Sequence, residues 1–187
     1  MPGQSVVTVP NLLSLARLVL SIAFFVAVER GWSVPAFWLF VVAASTDWVD
    51  GWYARRFDQV SRLGRIFDPL VDKVLVCGAY VLLAGRGSAI EPWMAVVVVV
   101  RELIVTAIRA EMEKAGRDFS AALSGKLKMV LQCLAIGLVL AGQAWPDLAP
   151  GGVGIGRLAG WVSWAAVIAT IWSGLEYVLA ARVLVGR

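Results

Sequence analysis

The chain has no histidine, so any metal site in it must be built largely from oxygen ligands. It has two cysteines, Cys77 and Cys133, and both fall inside apolar runs, where they read as small core residues and imply no disulfide framework. Charge is scarce as well. Only 16% of the 187 residues are charged, against roughly 25% in an average soluble domain. No apolar stretch alternates with a period of two, which argues against a transmembrane barrel, and no long linker or low-complexity tail interrupts the chain.

What is present is apolar: 60% of residues are hydrophobic, and the mean hydropathy is +0.80. Apolar runs cover 12–28, 34–49, 67–84, 93–110, 127–145 and 158–184. A helix needs ~20 such residues to cross hydrocarbon, and only helices satisfy the backbone there when barrels are excluded. The expected fold is therefore an all-α integral membrane protein with six transmembrane helices, forming a single domain over 1–187. Gly31, Gly85 with Gly87, Gly116 and the stretch 146–156 supply the breaks.

Lysine and arginine set the orientation. With the N-terminus inside, Arg55, Arg56, Arg62 and Arg65 form one cytoplasmic loop, Lys114, Arg117, Lys126 and Lys128 the next, and Arg182 and Arg187 the inner C-terminus. Both termini are then cytoplasmic. The net charge of +4 gathers on that face, where it favours anionic lipid headgroups and anionic substrates. Residues 1–10 lack the basic flank and cleavage site of a secretory leader, so the first span is expected to be retained, and no organelle-targeting segment precedes it.

Within "STDWVDGWYARR", the second span gives way to Asp47 and Asp50, and "FDQVSRLGRIFDPLVDKVLV" adds Asp68 and Asp72 at the start of the third. Spacings of three and four put each pair on one helix face, ~4.5 and ~6 Å apart in rise. Four carboxylates at one membrane depth repel one another unless cations neutralise them. Their all-oxygen chemistry favours magnesium or manganese, and two such ions ~4 Å apart suit a phosphoryl displacement. Gly51 and Gly64 permit close approach of a ligand, and Arg55 offers a planar fork to phosphate. The plainer reading is a solvated helix end, but intramembrane carboxylates are costly and are usually functional.

These residues resemble the CDP-alcohol phosphotransferase family, whose motif reads D-x2-D-G-x2-A-R-x8-G-x3-D-x3-D. Asp47, Asp50, Gly51, Ala54, Arg55, Gly64, Asp68 and Asp72 complete it. Similarity extends through "VPNLLSLARL" and "VRELIVTAIRAEMEKAGRDFSAALSGKLKMVLQ" to the branch that joins CDP-diacylglycerol to glycerol 3-phosphate and releases CMP. The resemblance implies that Asp47 and Asp68 bridge two divalent cations, Asp50 holds one, and Asp72 holds the other and acts as general base. It also implies that Asn11, Ser14, Gly51, Arg55 and Ser61 contact the CDP-lipid, although Asn11 reads equally as a helix N-cap. Membrane lipid and a second copy in a homodimer are the implied partners; no nucleic acid is expected. A bacterial inner membrane, with the active site facing the cytoplasm, is the expected location.

Glycerol 3-phosphate is a dianion and needs cations that the metal site does not use. Arg101 and Arg109, about two turns apart on the fourth span, and Lys126 at the start of the fifth are the candidates. The alternative for Arg101 is neutralisation by Glu102, and for Lys126 interfacial snorkelling. Lys128 reads as a topology residue, and Arg17 and Glu176 as either a structural pair or part of a cavity wall. The aspartate motif does not separate the acceptor alcohols that make phosphatidylglycerol phosphate, cardiolipin, phosphatidylinositol phosphate or phosphatidylserine. A cation channel or transporter is the more distant alternative; it predicts carboxylates spread along the membrane depth rather than gathered at one end.

Overall fold

A computed structural model describes residues 9–57, 62–114 and 123–185, with side chains described for 15–46, 70–71, 73–112 and 123–182. These residues form six α-helices: α1 (Val9–Glu29), α2 (Ser33–Phe57), α3 (Arg62–Leu83), α4 (Pro92–Lys114), α5 (Leu123–Ala144) and α6 (Ile155–Val185). A single 3-10 turn, Pro150–Gly152, precedes α6, and among the described residues there is no strand.

Local chemistry explains the ends. Gly31 adopts φ 71°, and the amides of Gly31 and Trp32 close on the carbonyls of Val28 and Ala27, which satisfies the last turn of α1. After α3, Gly85 takes φ 74° and donates to the Ile90 carbonyl, while the Ser88 hydroxyl donates to the Leu83 carbonyl at 2.7 Å. Pro92 opens α4, where its missing amide is not needed.

Helix ends depart from the apolar runs where the motif lies. α2 continues to Phe57, past the hydrophobic stretch that ends at residue 49, and α3 begins at Arg62 rather than 67. Arg55, Arg56, Arg62 and Arg65 therefore stand on helices, not in the loop expected from sequence. Only 58–61 connect the two helices.

The chain forms two compact units, Met1–Leu82 and Leu83–Arg187. In the first, α1 packs along α2 around Phe24, Ala27, Ala36, Phe40 and Ala43, with the Phe24 and Phe40 rings 5.7 Å apart. Gly78 of α3 lies so close to α1 that a Cβ there would stand 2.4 Å from the Phe25 ring. Arg17 is buried in this unit, and its Nε makes a long contact, 3.4 Å, to the Thr46 hydroxyl, one residue before Asp47.

In the second unit, α6 packs against both α4 and α5. Ala135, Ile136, Val139 and Leu140 of α5 are buried, as are Ala159, Ala166 and Val167 of α6. Trp161, Trp164, Ile168, Trp172, Leu175 and Leu179 of α6 remain exposed, an apolar face suited to lipid. Leu123–Ala144 and Ile155–Arg182 are long and apolar enough to cross a membrane, whereas Ser33–Thr46 and Lys73–Leu83 are shorter apolar stretches. α4 carries Arg101, Glu102, Arg109 and Glu111 along its length.

Candidate active site

The motif straddles the ends of two apolar runs: Asp47, Asp68 and Asp72 fall within the runs 34–49 and 67–84, and Asp50, Gly51, Arg55 and Gly64 on the helical turns beyond them. Asp47, Asp50, Gly51 and Arg55 fall within α2, and Asp68 and Asp72 within α3. The side chains of these six residues lie outside the described residues, as do those of Asn11 and Ser14; Ser61 is outside them altogether. The backbone still constrains their levels. At 1.5 Å per residue, Asp50 and Asp47 stand ~10 and ~15 Å back from the Phe57 end, and Asp68 and Asp72 ~9 and ~15 Å in from Arg62. The connection 58–61 spans at most about 19 Å. Asn11 falls two residues after the α1 start at Val9, inside the first turn rather than at the cap position.

A second set of functional side chains gathers inside the second unit. Arg101 is buried; one terminal nitrogen donates to Glu102 at 3.0 Å and the other to the Ser173 hydroxyl at 2.5 Å. Lys128, also buried, donates to the same Glu102 oxygen. Arg109 donates to the Tyr177 hydroxyl at 2.9 Å. One turn beyond Lys128, Gln132 donates to Thr170 at 2.9 Å, extending the polar seam between α5 and α6.

Two cations, Arg101 and Lys128, thus meet one carboxylate, Arg109 joins them through Tyr177, and the group keeps a net positive charge. Such an arrangement attracts an anion. Sequence reasoning identified Arg101 and Arg109 but gave Lys128 only a topological role, and it did not single out Ser173 or Tyr177. The lysine that reaches this cluster is Lys128, whereas Lys126 is exposed at the start of α5. Glu176 instead accepts the Trp172 indole N–H at 2.7 Å.

A family model for CDP-alcohol phosphatidyltransferases matches residues 7–172. The chain belongs to that family. It is also similar to bacterial enzymes named CDP-diacylglycerol–glycerol-3-phosphate 3-phosphatidyltransferase. Those of Sodalis glossinidius (strain morsitans) and Escherichia coli (strain K12) are each 37% identical, with 93% of this chain and 94% of theirs covered. Among solved structures, Mycobacterium tuberculosis phosphatidylinositol phosphate synthase with CDP-DAG bound aligns at a TM-score of 0.63 and 14% identity, covering 93% of this chain and 86% of that one. At that identity the likeness is one of fold.

For a CDP-alcohol phosphatidyltransferase, the donor chemistry of the motif fits a divalent cation. Four carboxylates, one turn apart within each pair, offer hard oxygens and no nitrogen or sulfur. Among the residues whose side chains are described, no group of three or more acidic, cysteine or histidine side chains forms a metal cluster. The aspartates of the motif lie outside that set.

Proposed function

We propose that this chain transfers the phosphatidyl group of CDP-diacylglycerol to glycerol 3-phosphate, giving phosphatidylglycerol phosphate and CMP. The observation that carries this reading is the 37% identity, nearly end to end, to relatives named for that reaction. The complete aspartate motif supports the chemistry, and the family's likeness over 7–172 supports one domain over 1–187.

Asp47, Asp50, Asp68 and Asp72 are the residues that would hold two divalent cations, Mg2+ or Mn2+. Bound there, such ions polarise phosphoryl oxygens and offset the charge that develops on them. If α2 and α3 fold back on one another through 58–61, Asp50 comes level with Asp68 and Asp47 with Asp72, which supports one shared site. Asp72 accepts the proton of the glycerol hydroxyl as that oxygen attacks the β-phosphorus of the CDP-lipid. The bond from that phosphorus to the bridging oxygen breaks, and CMP leaves with the electron pair. Gly51, Arg55 and Ser61, with Asn11 and Ser14 of α1, are proposed to bind the nucleotide and its phosphates.

Arg101 and Arg109 hold the acceptor's phosphate in this reading, with Lys126 as an outlying cation. Support comes from the charge of the cluster, Arg101 and Lys128 on one carboxylate with Arg109 beside them on Tyr177, which suits a phosphomonoester dianion. A charge-assisted contact contributes about 1.5 to 3 kcal/mol, so Arg109→Ala should raise the KM for glycerol 3-phosphate roughly 10- to 100-fold and leave that for CDP-diacylglycerol nearly unchanged. Lysine should restore only part of the loss, because it keeps the charge and gives up the fork.

Six transmembrane helices, cytoplasmic termini, a homodimeric state and a bacterial inner membrane with the site on the cytoplasmic face complete the proposal. Two long apolar helices and the basic residues near the helix ends support the topology. The deciding experiment supplies the purified chain with CDP-diacylglycerol and, separately, glycerol 3-phosphate, phosphatidylglycerol, inositol phosphate and serine, with CMP release as the readout. Turnover with glycerol 3-phosphate is expected. Preference for another alcohol would overturn the acceptor, and ion flux in liposomes without substrate would favour a channel.

A further inference from the structure

Two side chains and a glycine of α6 meet the arginines of α4. Ser173 accepts from Arg101, and the next residue, Gly174, leaves room for the arginine stem: a Cβ at Gly174 would stand 3.1 Å from the Arg101 Cγ. One turn on, the ring of Tyr177 lies beneath both guanidinium groups, its centroid 5.5 Å from the Arg101 carbon and 5.8 Å from that of Arg109. The Tyr177 hydroxyl also accepts from Arg109 at 2.9 Å, and the residue is only 2% exposed.

Arg101 and Arg109 stand eight residues apart, ~12 Å along α4, and long arginine side chains that far apart do not ordinarily share a partner. A single aromatic ring ties them together. The Nε of Arg101, in a residue only 9% exposed, is buried and has no hydrogen-bond partner among the described residues. A buried guanidinium with an unused N–H is a ready donor to an anion, because leaving that donor unpaired is unfavourable.

We propose that Tyr177 is a positioning residue of the acceptor subsite, one phenol that fixes both arginines of α4 before the acceptor's phosphate arrives, with Gly174 providing the clearance for Arg101. This rests on the reading that Arg101 and Arg109 hold that phosphate. Fixing two flexible side chains in advance removes part of the ordering loss on binding, so the ring should govern affinity for the acceptor without touching it.

Three variants of the full chain separate the contributions. Tyr177→Phe keeps the ring and removes the hydroxyl that accepts from Arg109, so the KM for glycerol 3-phosphate should rise roughly 3- to 10-fold. Tyr177→Leu removes the ring as well, and the rise should reach roughly 10- to 100-fold. Gly174→Ala raises intrinsic helix preference yet crowds the Arg101 stem, so the KM should rise without a fall in thermal midpoint. In each case the KM for CDP-diacylglycerol should hardly change.

Adding Tyr177→Leu to Arg109→Ala should cause less than the product of the two separate losses, since both act on one contact. If Arg101→Ala and Arg109→Ala raise the acceptor KM but folded Tyr177→Phe and Gly174→Ala do not, positioning by α6 is wrong and the acceptor reading stands. If the arginine variants leave that KM unchanged, the acceptor reading fails and the proposal falls with it. Equal losses for both substrates, together with a lowered thermal midpoint, would mark Tyr177 as a packing residue and overturn the proposal. Should Tyr177→Leu fail to fold, the Phe and Gly174→Ala variants decide the matter.

Discussion

Asp68→Ala is expected to abolish CMP release while leaving a folded protein. The family resemblance makes this residue one that would serve both cations, so its loss would remove a ligand from each at once. Asp72→Asn makes an informative contrast. It keeps an oxygen ligand but cannot take up the glycerol proton, so kcat should fall by at least about 10²-fold with the KM for CDP-diacylglycerol largely preserved. CMP release and thermal unfolding measured on the same preparations check both variants; a folded Asp68→Ala protein that still turns over would remove the metal assignment.

How much of this was legible beforehand follows from what hydropathy measures. Six apolar runs correspond to six helices, because long runs of Val, Leu, Ala and Trp have little alternative to a helix in lipid. The ends of α2 and α3 were not legible. A helix is held by backbone hydrogen bonds, and polar side chains at its end lower hydropathy without breaking them, so α2 runs through Asp47, Asp50 and Arg55 to Phe57. For the site, the spacing of the four aspartates was readable as a pattern and needed no packing information.

The cluster around Arg101 was read only in part. Lys126 and Lys128 are equivalent as charges near a membrane end; the sequence reading gave Lys126 to the acceptor and Lys128 to topology, and the structure pairs Lys128 with Glu102. Burial phase distinguishes them: Lys128, Gln132, Ala135, Ile136 and Val139 are buried at helical spacing, while Lys126 falls beside exposed Leu123, Leu127 and Val130. A lysine in phase with a buried stripe was the available signal. Tyr177 had no comparable one, since a tyrosine near a membrane end ordinarily reads as an interface aromatic.

That same burial makes Glu102 the residue whose loss should most damage stability. It is 12% exposed and accepts from two buried cations, Arg101 at 3.0 Å and Lys128. Glu102→Leu would leave both cations without this carboxylate in a setting that solvates charge poorly. Removing one partner of a buried pair costs about 3 to 5 kcal/mol, roughly 10 °C of thermal midpoint for a chain of this length. Lys128→Met should cost less, because Glu102 then still balances Arg101. The order matters more than either value: thermal unfolding in detergent should rank wild type above Lys128→Met, and Lys128→Met above Glu102→Leu. If the two substitutions prove equal, the three groups act as independent contacts rather than as one network. If Lys128→Met is instead the more damaging, Lys128 carries a role that its pairing with Glu102 does not explain, and the lysine itself joins Arg101 and Arg109 as a group to test against glycerol 3-phosphate.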